Sequence, residues 1–439
     1  MGRGMKKFWL GSAAFFLVSA GAASATDMPM KAPVYKAQEP VYDWSGLYVG
    51  VYSGVGIQRS RGFDPTGAAV GVVEYTGAGF TGGGTIGYNW QFNRNWMVGV
   101  EGDFGHLGLS HNIQDYNDTF VYNSKTSWIG TLRGRAGYSN GSTLNYITAG
   151  GAWVHFEDQT NDLTGTAPFA SSKTKSGYTI GSGVETMLGG NWTAKAEYAF
   201  VNVGRGDPIV APTTLTFLEA DKHRYQVMKF GINYLFGGKQ PALIVHNWNG
   251  FYAGVVGGTA VTESRGTDPT GARAGQIGNN GEGFTVGGMA GYNWQFAPQW
   301  VAGVEGDFSY LGIKHSETNF NDPNSFLGLK TSWLGTLRGR VGYSTGPALL
   351  YVTAGAAWVN LQDQWRFAAT PASSSTTKSG GAFGGGIETI LGSNWTSKTE
   401  YLYVDAGHGN TLVSDAGSIQ VDHKFHVFRS ALIYKFGSQ

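Results

Sequence analysis

Seven charged residues stand inside otherwise apolar, strand-like stretches, and an equivalent seven recur in the second half of the chain. The first set is Glu101, Asp103, Arg133, Arg135, Glu185, Lys195 and Glu197; the second is Glu305, Asp307, Arg338, Arg340, Glu388, Lys398 and Glu400. Alternate residues of a strand share a face. Glu101 and Asp103 therefore sit together, with Val98, Val100, Gly102 and Phe104 on the opposite side. Arg133 and Arg135 share a face of the following strand, opposite Leu132, Gly134 and Ala136. Paired carboxylates are the groups of acid–base catalysis, and rings of charge select ions in channels. Neighbouring arginines, however, hold carboxylates ionised, which does not suit proton transfer. A mutually neutralising filling is the reading preferred over an ion-selective constriction, and no catalytic residue is expected.

These positions imply strands arranged in a particular rhythm. The first half reads as eight strands, near 44–57, 79–92, 96–109, 127–138, 143–156, 176–188, 192–203 and 223–236. Long polar segments rich in Gly, Asp, Ser and Thr follow the odd strands. Short turns follow the even ones: Asn93-Arg94-Asn95, Ser139-Asn140-Gly141-Ser142 and Gly189-Gly190-Asn191. Short turns on one side and long loops on the other are the pattern of a transmembrane β-barrel. In the second strand Ile86, Tyr88, Trp90 and Phe92 share one face and Thr85, Gly87, Asn89 and Gln91 the other. In the eighth, Met228, Phe230, Ile232, Tyr234 and Phe236 alternate with Lys229, Gly231 and Asn233. The fifth strand does not reveal its faces. A base turned to lipid at mid-bilayer costs roughly 2–4 kcal/mol, so the seven charges are expected inside. Trp90, Trp96, Trp192, Trp294, Trp300 and Trp395 all lie beside short turns, as an aromatic girdle at the periplasmic interface would.

The whole unit is duplicated. Trp44-Ser45-Gly46-Leu47-Tyr48 returns as Trp248-Asn249-Gly250-Phe251-Tyr252, and Gly87 to Phe92 returns as Gly291 to Phe296. The predicted fold class is all-β: a transmembrane antiparallel up-and-down barrel in two eight-stranded units, with one sixteen-stranded barrel as the alternative. The expected divisions are a signal peptide over 1–25, a Pro/Lys-containing periplasmic linker over 26–43, barrel units over 44–236 and 248–436, and a periplasmic linker over 237–247.

Composition agrees with this placement. Gly numbers 70, aromatics reach 14% and charged residues only 14%, and there is no Cys. Arg3, Lys6 and Lys7, an apolar run from Phe8 to Ala22 and then Ala23-Ser24-Ala25 read as a cleavable export signal. Removing it takes the formal charge from +1 to −2 and leaves no basic field for nucleic acid. His111 and His223 recur as His315 and His423 at extracellular strand ends. They are read as solvated loop histidines, so no metal and no cofactor is expected.

The chain resembles the small porin-like, immunogenic outer-membrane proteins of alpha-proteobacteria. The residues that carry the resemblance are Met28 to Pro33, Asp43 to Gly50, Gly87-Tyr88-Asn89-Trp90, Trp128 to Arg135, and the ending Asn233-Tyr234-Leu235-Phe236. It implies an eight-stranded barrel exposed at the cell surface. Two closed barrels would have a structural and surface-displaying role, whereas one sixteen-stranded barrel would be a diffusion porin. The expected partners are outer-membrane lipid, lipopolysaccharide and the barrel insertion machinery. The sequence sets no oligomeric state.

Overall fold

The computed structural model describes residues 42–437, apart from 64–71, 115–119, 163–168, 205–207, 211–216, 238–245, 272–275, 279, 319–325, 368–369, 393 and 415–416. The expected signal peptide and nearly all of the first linker lie outside the described residues, as does most of the second linker.

The first half forms β1 (Gly46–Phe63), β2 (Val72–Gln91), β3 (Trp96–Gln114), β4 (Phe120–Asn140), β5 (Thr143–Asp162), β6 (Phe169–Gly189), β7 (Trp192–Asn202), the short β8 (Pro208–Val210) and β9 (Phe217–Phe236). The second half forms β10 (Gly250–Thr267), the short β11 (Gln276–Gly278), β12 (Glu282–Ala297), β13 (Trp300–Thr318), β14 (Phe326–Ser344), β15 (Ala348–Phe367), β16 (Thr370–Gly392), β17 (Trp395–His408), the short β18 (Leu412–Ser414) and β19 (Gly417–Lys435). All pairings are antiparallel between neighbours in each half. Two further pairings decide the architecture: β1 pairs with β9 from Leu47↔Phe236 to Phe63↔Glu219, and β10 pairs with β19 from Tyr252↔Lys435 to Thr267↔Gln420. Each half therefore closes on itself. The sixteen-stranded alternative is set aside, because the strands it would join across the halves are already paired within them.

Most strands run further than their sequence pattern suggests. The segments read as long loops are largely continuations of the hairpins, as in β4 and β5, where Phe120 pairs with Asp162 well beyond the apolar pattern. Apolar alternation marks only the part that meets lipid. Above the bilayer, polar residues keep the same ladder, because backbone pairing does not require apolar side chains.

The fifth strand resolves into two faces. Leu144, Tyr146, Ala152, Val154 and Phe156 are buried in the lumen, while Ile147 and Trp153 are exposed. Both faces are apolar because the lumen itself carries apolar layers. Tyr42, Trp44, Met97, Leu144, Tyr146, Met187 and Leu235 close the short-turn end. Leu107, Leu109, Ile129, Val154, Val201 and Val227 fill the lumen toward the long-loop end. The charges lie between these layers.

A candidate functional site in each barrel lumen

Hairpin register sets the first contacts of the charge layer. Glu101 pairs with Arg133, Asp103 with Thr131, and Gly99 with Arg135 across β3 and β4. Curvature sets the rest. Arg133 reaches Asp103 at 2.7 Å and also Glu197 on β7 at 2.7 Å. Arg135 binds Glu185 on β6 at 2.8 Å, and Lys195 on β7 binds Glu101 at 2.7 Å. In the second barrel Arg338 holds Glu305 at 2.6 Å, Asp307 at 3.0 Å and Glu400 at 3.1 Å. Arg340 holds Glu388 at 2.8 Å, and Lys398 holds Glu305 at 2.7 Å. All fourteen charged positions singled out from the sequence lie buried inside their barrels.

The sequence reading missed several members of this layer. Lys229 binds Asp103 at 2.9 Å, and its counterpart Arg429 binds Asp307 at 2.8 Å and Glu400 at 2.9 Å. The layer is therefore balanced, with four acids and four bases in each barrel, rather than one base short. The signal was present, since Lys229 alternates with the apolar residues of its strand. Tyr48 and Tyr252 donate to Glu101 and Glu305 at 2.8 Å, and Tyr146 and Tyr351 donate to Glu197 and Glu400 at 2.8 and 2.9 Å. An unpaired buried charge is costly, and here every carboxylate meets at least one cation.

The Trp-x-Gly-x-Tyr opening supplies the floor of each barrel. Trp44 does not begin the first strand as expected; it folds beneath the barrel at 1% exposure. Its backbone N–H donates to Gln91 Oε1 at 2.8 Å and its indole N–H to the Gly141 carbonyl at 3.1 Å. Trp248 does the same with Gln295 Oε1 at 2.8 Å and Ser344 Oγ at 2.9 Å. The glycine lets the chain turn from plug to strand: Gly46 has φ +132°, and a Cβ there would lie 2.3 Å from the Phe236 carbonyl oxygen.

Trp90, Trp96, Trp192, Trp294, Trp300 and Trp395 are exposed beside the short turns. Four of them pack edge-to-face on tyrosines of the neighbouring strand: Trp96 on Tyr138, Trp192 on Tyr234, Trp300 on Tyr343 and Trp395 on Tyr434, at 5.1 to 5.5 Å.

The histidine expectation is corrected. His111, His223 and His423 are buried rather than solvated, because the strands run on past them. Ser60 Oγ lies 2.7 Å from His223 Nδ1. In the second barrel Ser264 Oγ lies 3.1 Å from His423 Nδ1, and His423 Nε2 lies 3.2 Å from Asp363 Oδ2. Ser, His and Asp in a row is a hydrolase arrangement. Here, however, Gly409 closes over it, so near that a Cβ would meet both the His423 ring and the Asp363 carboxylate at 3.1 Å. Among the described residues no group of three or more His, Asp or Glu side chains could hold a metal.

A sequence profile of the outer membrane protein beta-barrel domain matches residues 12–236 and again 234–436. The chain belongs to that family. Its location is accordingly the outer membrane. The 31 kDa outer-membrane immunogenic protein of Brucella melitensis biotype 1 is 34% identical over 160 residues, 35% of this chain and 67% of that protein. A 22 kDa outer membrane protein of Rhizobium leguminosarum bv. viciae is 36% identical over 166 residues, 37% of this chain and 66% of that one. The 25 kDa outer-membrane immunogenic protein of Brucella abortus biovar 1 is 29% identical over 241 residues, covering 53% of this chain and 100% of its own length. That last alignment covers the whole of a relative with about half of this chain, as a duplicated outer-membrane barrel requires.

Proposed function

We propose that this chain serves the outer membrane as two sealed barrels with a structural and surface-displaying role, and that the charge layer braces each barrel from within. The observation that carries this reading is the burial of Arg133 and Arg338 at the centre of their lumens, each ringed by three carboxylates. An eight-stranded barrel has an interior just wide enough for side chains to fill, and a filled, neutralised lumen leaves no aqueous path. The same burial argues against the layer as pore lining and against catalysis there. Partners in this reading are outer-membrane lipid and lipopolysaccharide around the barrels. The insertion machinery would receive the last strand, β19, which runs to Lys435 just before Phe436. The long hairpins beyond the bilayer would be the surface seen from outside.

Conductance of the refolded mature protein in planar bilayers tests the proposal. Closed membranes, or only small flickering currents, are expected. A large, stable conductance would overturn it and return the chain to the diffusion-porin reading.

A further inference from the structure

Outward positions of a barrel in lipid are exposed, and most here are: Leu132 is 60% exposed and its counterpart Leu337 53%. A few outward positions are fully covered. Ile57 and Met228 are only 1% exposed, although the next residue along, Gln58 or Lys229, points into the lumen. They belong to one apolar cluster that draws on both barrels, in which Ile57, Val184 and Met228 of the first meet Val261, Ile387 and Phe428 of the second. These six are three equivalent pairs of the repeat: Ile57 with Val261, Val184 with Ile387, and Met228 with Phe428. Two copies that present the same patch to each other are related by a two-fold axis, which is the isologous arrangement of a homodimer. The Asn140 amide of one short turn donates to the Leu391 carbonyl of another at 2.7 Å, so both barrels have their short turns at the same end. The axis thus runs along the membrane normal.

The patch is not symmetric in charge. Toward the long-loop end, Glu282 of the second barrel accepts from Arg59 at 3.0 Å and from Arg224 at 3.2 Å, both of the first. The repeat places Ala78 in the first barrel where Glu282 stands, and Glu263 in the second where Arg59 stands. A first barrel docked on another first barrel would set Arg59 and Arg224 against Ala78, with no acid to receive them.

We propose that the two barrels dock in the bilayer as a fused pseudo-two-fold dimer, and that the Arg59/Arg224–Glu282 clamp makes the second barrel of the same chain the mate of the first. Apolar matching brings the faces together, and the diverged charges exclude the homotypic pairing, since a mismatched charge set penalises the wrong partner. The partner surface of each barrel is then satisfied within one chain.

The natural chain has no cysteine, so paired cysteines report on this without background. Asn140→Cys with Leu391→Cys samples the short-turn end. Gln226→Cys with Thr259→Cys, whose side chains meet across the barrels at 3.4 Å, samples the clamp end. Leu132→Cys with Leu337→Cys is the lipid-facing control. Each full-length variant is treated in outer membranes with a short bis-maleimide after heat-modifiable gel mobility has shown that it is folded. The first two pairs should give an internally looped chain in high yield and the control should not. Adding Glu282→Arg should lower the clamp-end yield several-fold, and Arg59→Glu with Arg224→Glu should restore it. Equal yields for all three pairs, or cross-links between chains instead of within them, would overturn the docking. A yield indifferent to Glu282→Arg would overturn mate selection by charge.

Discussion

Lys229 Nζ lies 2.9 Å from Asp103 Oδ1 although the two residues are 126 positions apart, on strands β9 and β3 that β1 and β2 separate in the barrel wall. The equivalent position of the second barrel is Arg429, which bonds to both Asp307 and Glu400. A lysine offers a point charge, whereas the guanidinium fork of arginine can serve two carboxylates at once.

The two barrels should therefore respond differently to loss of this cation. Removing one partner of a buried ion pair costs about 3–5 kcal/mol. Lys229→Met leaves Asp103 with Arg133 at 2.7 Å and the Thr131 hydroxyl at 2.7 Å, so its cost should fall at the low end of that range. Arg429→Met takes a bond from two acids and should cost more. Urea unfolding of each variant in lipid vesicles, followed by tryptophan fluorescence, measures both. Equal losses, or a larger loss for Lys229→Met, would count against the shared-fork account.

The two opening glycines should also differ. At Gly46 an added Cβ would lie 2.3 Å from the Phe236 carbonyl oxygen, while at Gly250 the corresponding distance to Phe436 is 3.1 Å. Both have positive φ, at +132° and +118°. Gly46→Ala should impair closure of the first barrel more than Gly250→Ala impairs the second. Folded yield read by heat-modifiable gel mobility decides this, and a greater defect in Gly250→Ala would contradict the argument.

Acid should loosen the outer end of the first barrel. His223 pairs with Ser60, five residues beyond the level of Val55 and Phe80, and so stands above the membrane-spanning part. Burial, helped by Lys175, holds the His223 imidazole down to about 4; burial, helped by Arg265, holds His111 to about 4 as well. A histidine whose folded value is depressed contributes stability that is complete above its ordinary value of about 6.5 and is lost as pH falls from there toward 4. Protection of the outer ends of β1, β3 and β9 from hydrogen exchange, taken relative to the intrinsic exchange rate at each pH, should therefore fall between pH 6.5 and 4. In the variant His223→Gln that fall should shrink. Protection that stays flat over this interval would sink the prediction.

Much of this molecule was legible from residue order. Alternation in Ile86, Tyr88, Trp90 and Phe92 marks a lipid face, and these residues are exposed. Glu101 and Asp103 on one face, with Arg133 and Arg135 on the next strand, foretell a charged interior. Local reading stops short where polar chain continues the ladders, so it makes the strands too short and leaves the histidines in solvent.

Strand period, hairpin order, duplication and the inward turn of the charges follow from the chain alone, because each depends on residues a few positions apart or on direct self-similarity. Closure of each half, the meeting of Arg133 with Glu197 and of Lys229 with Asp103, the plug of Trp44 beneath the barrel, and the covering of Ile57 and Met228 belong to the tertiary structure. A period of two tells which face a side chain takes. Which distant strand stands opposite is decided by how far the sheet curves before its first and last strands pair.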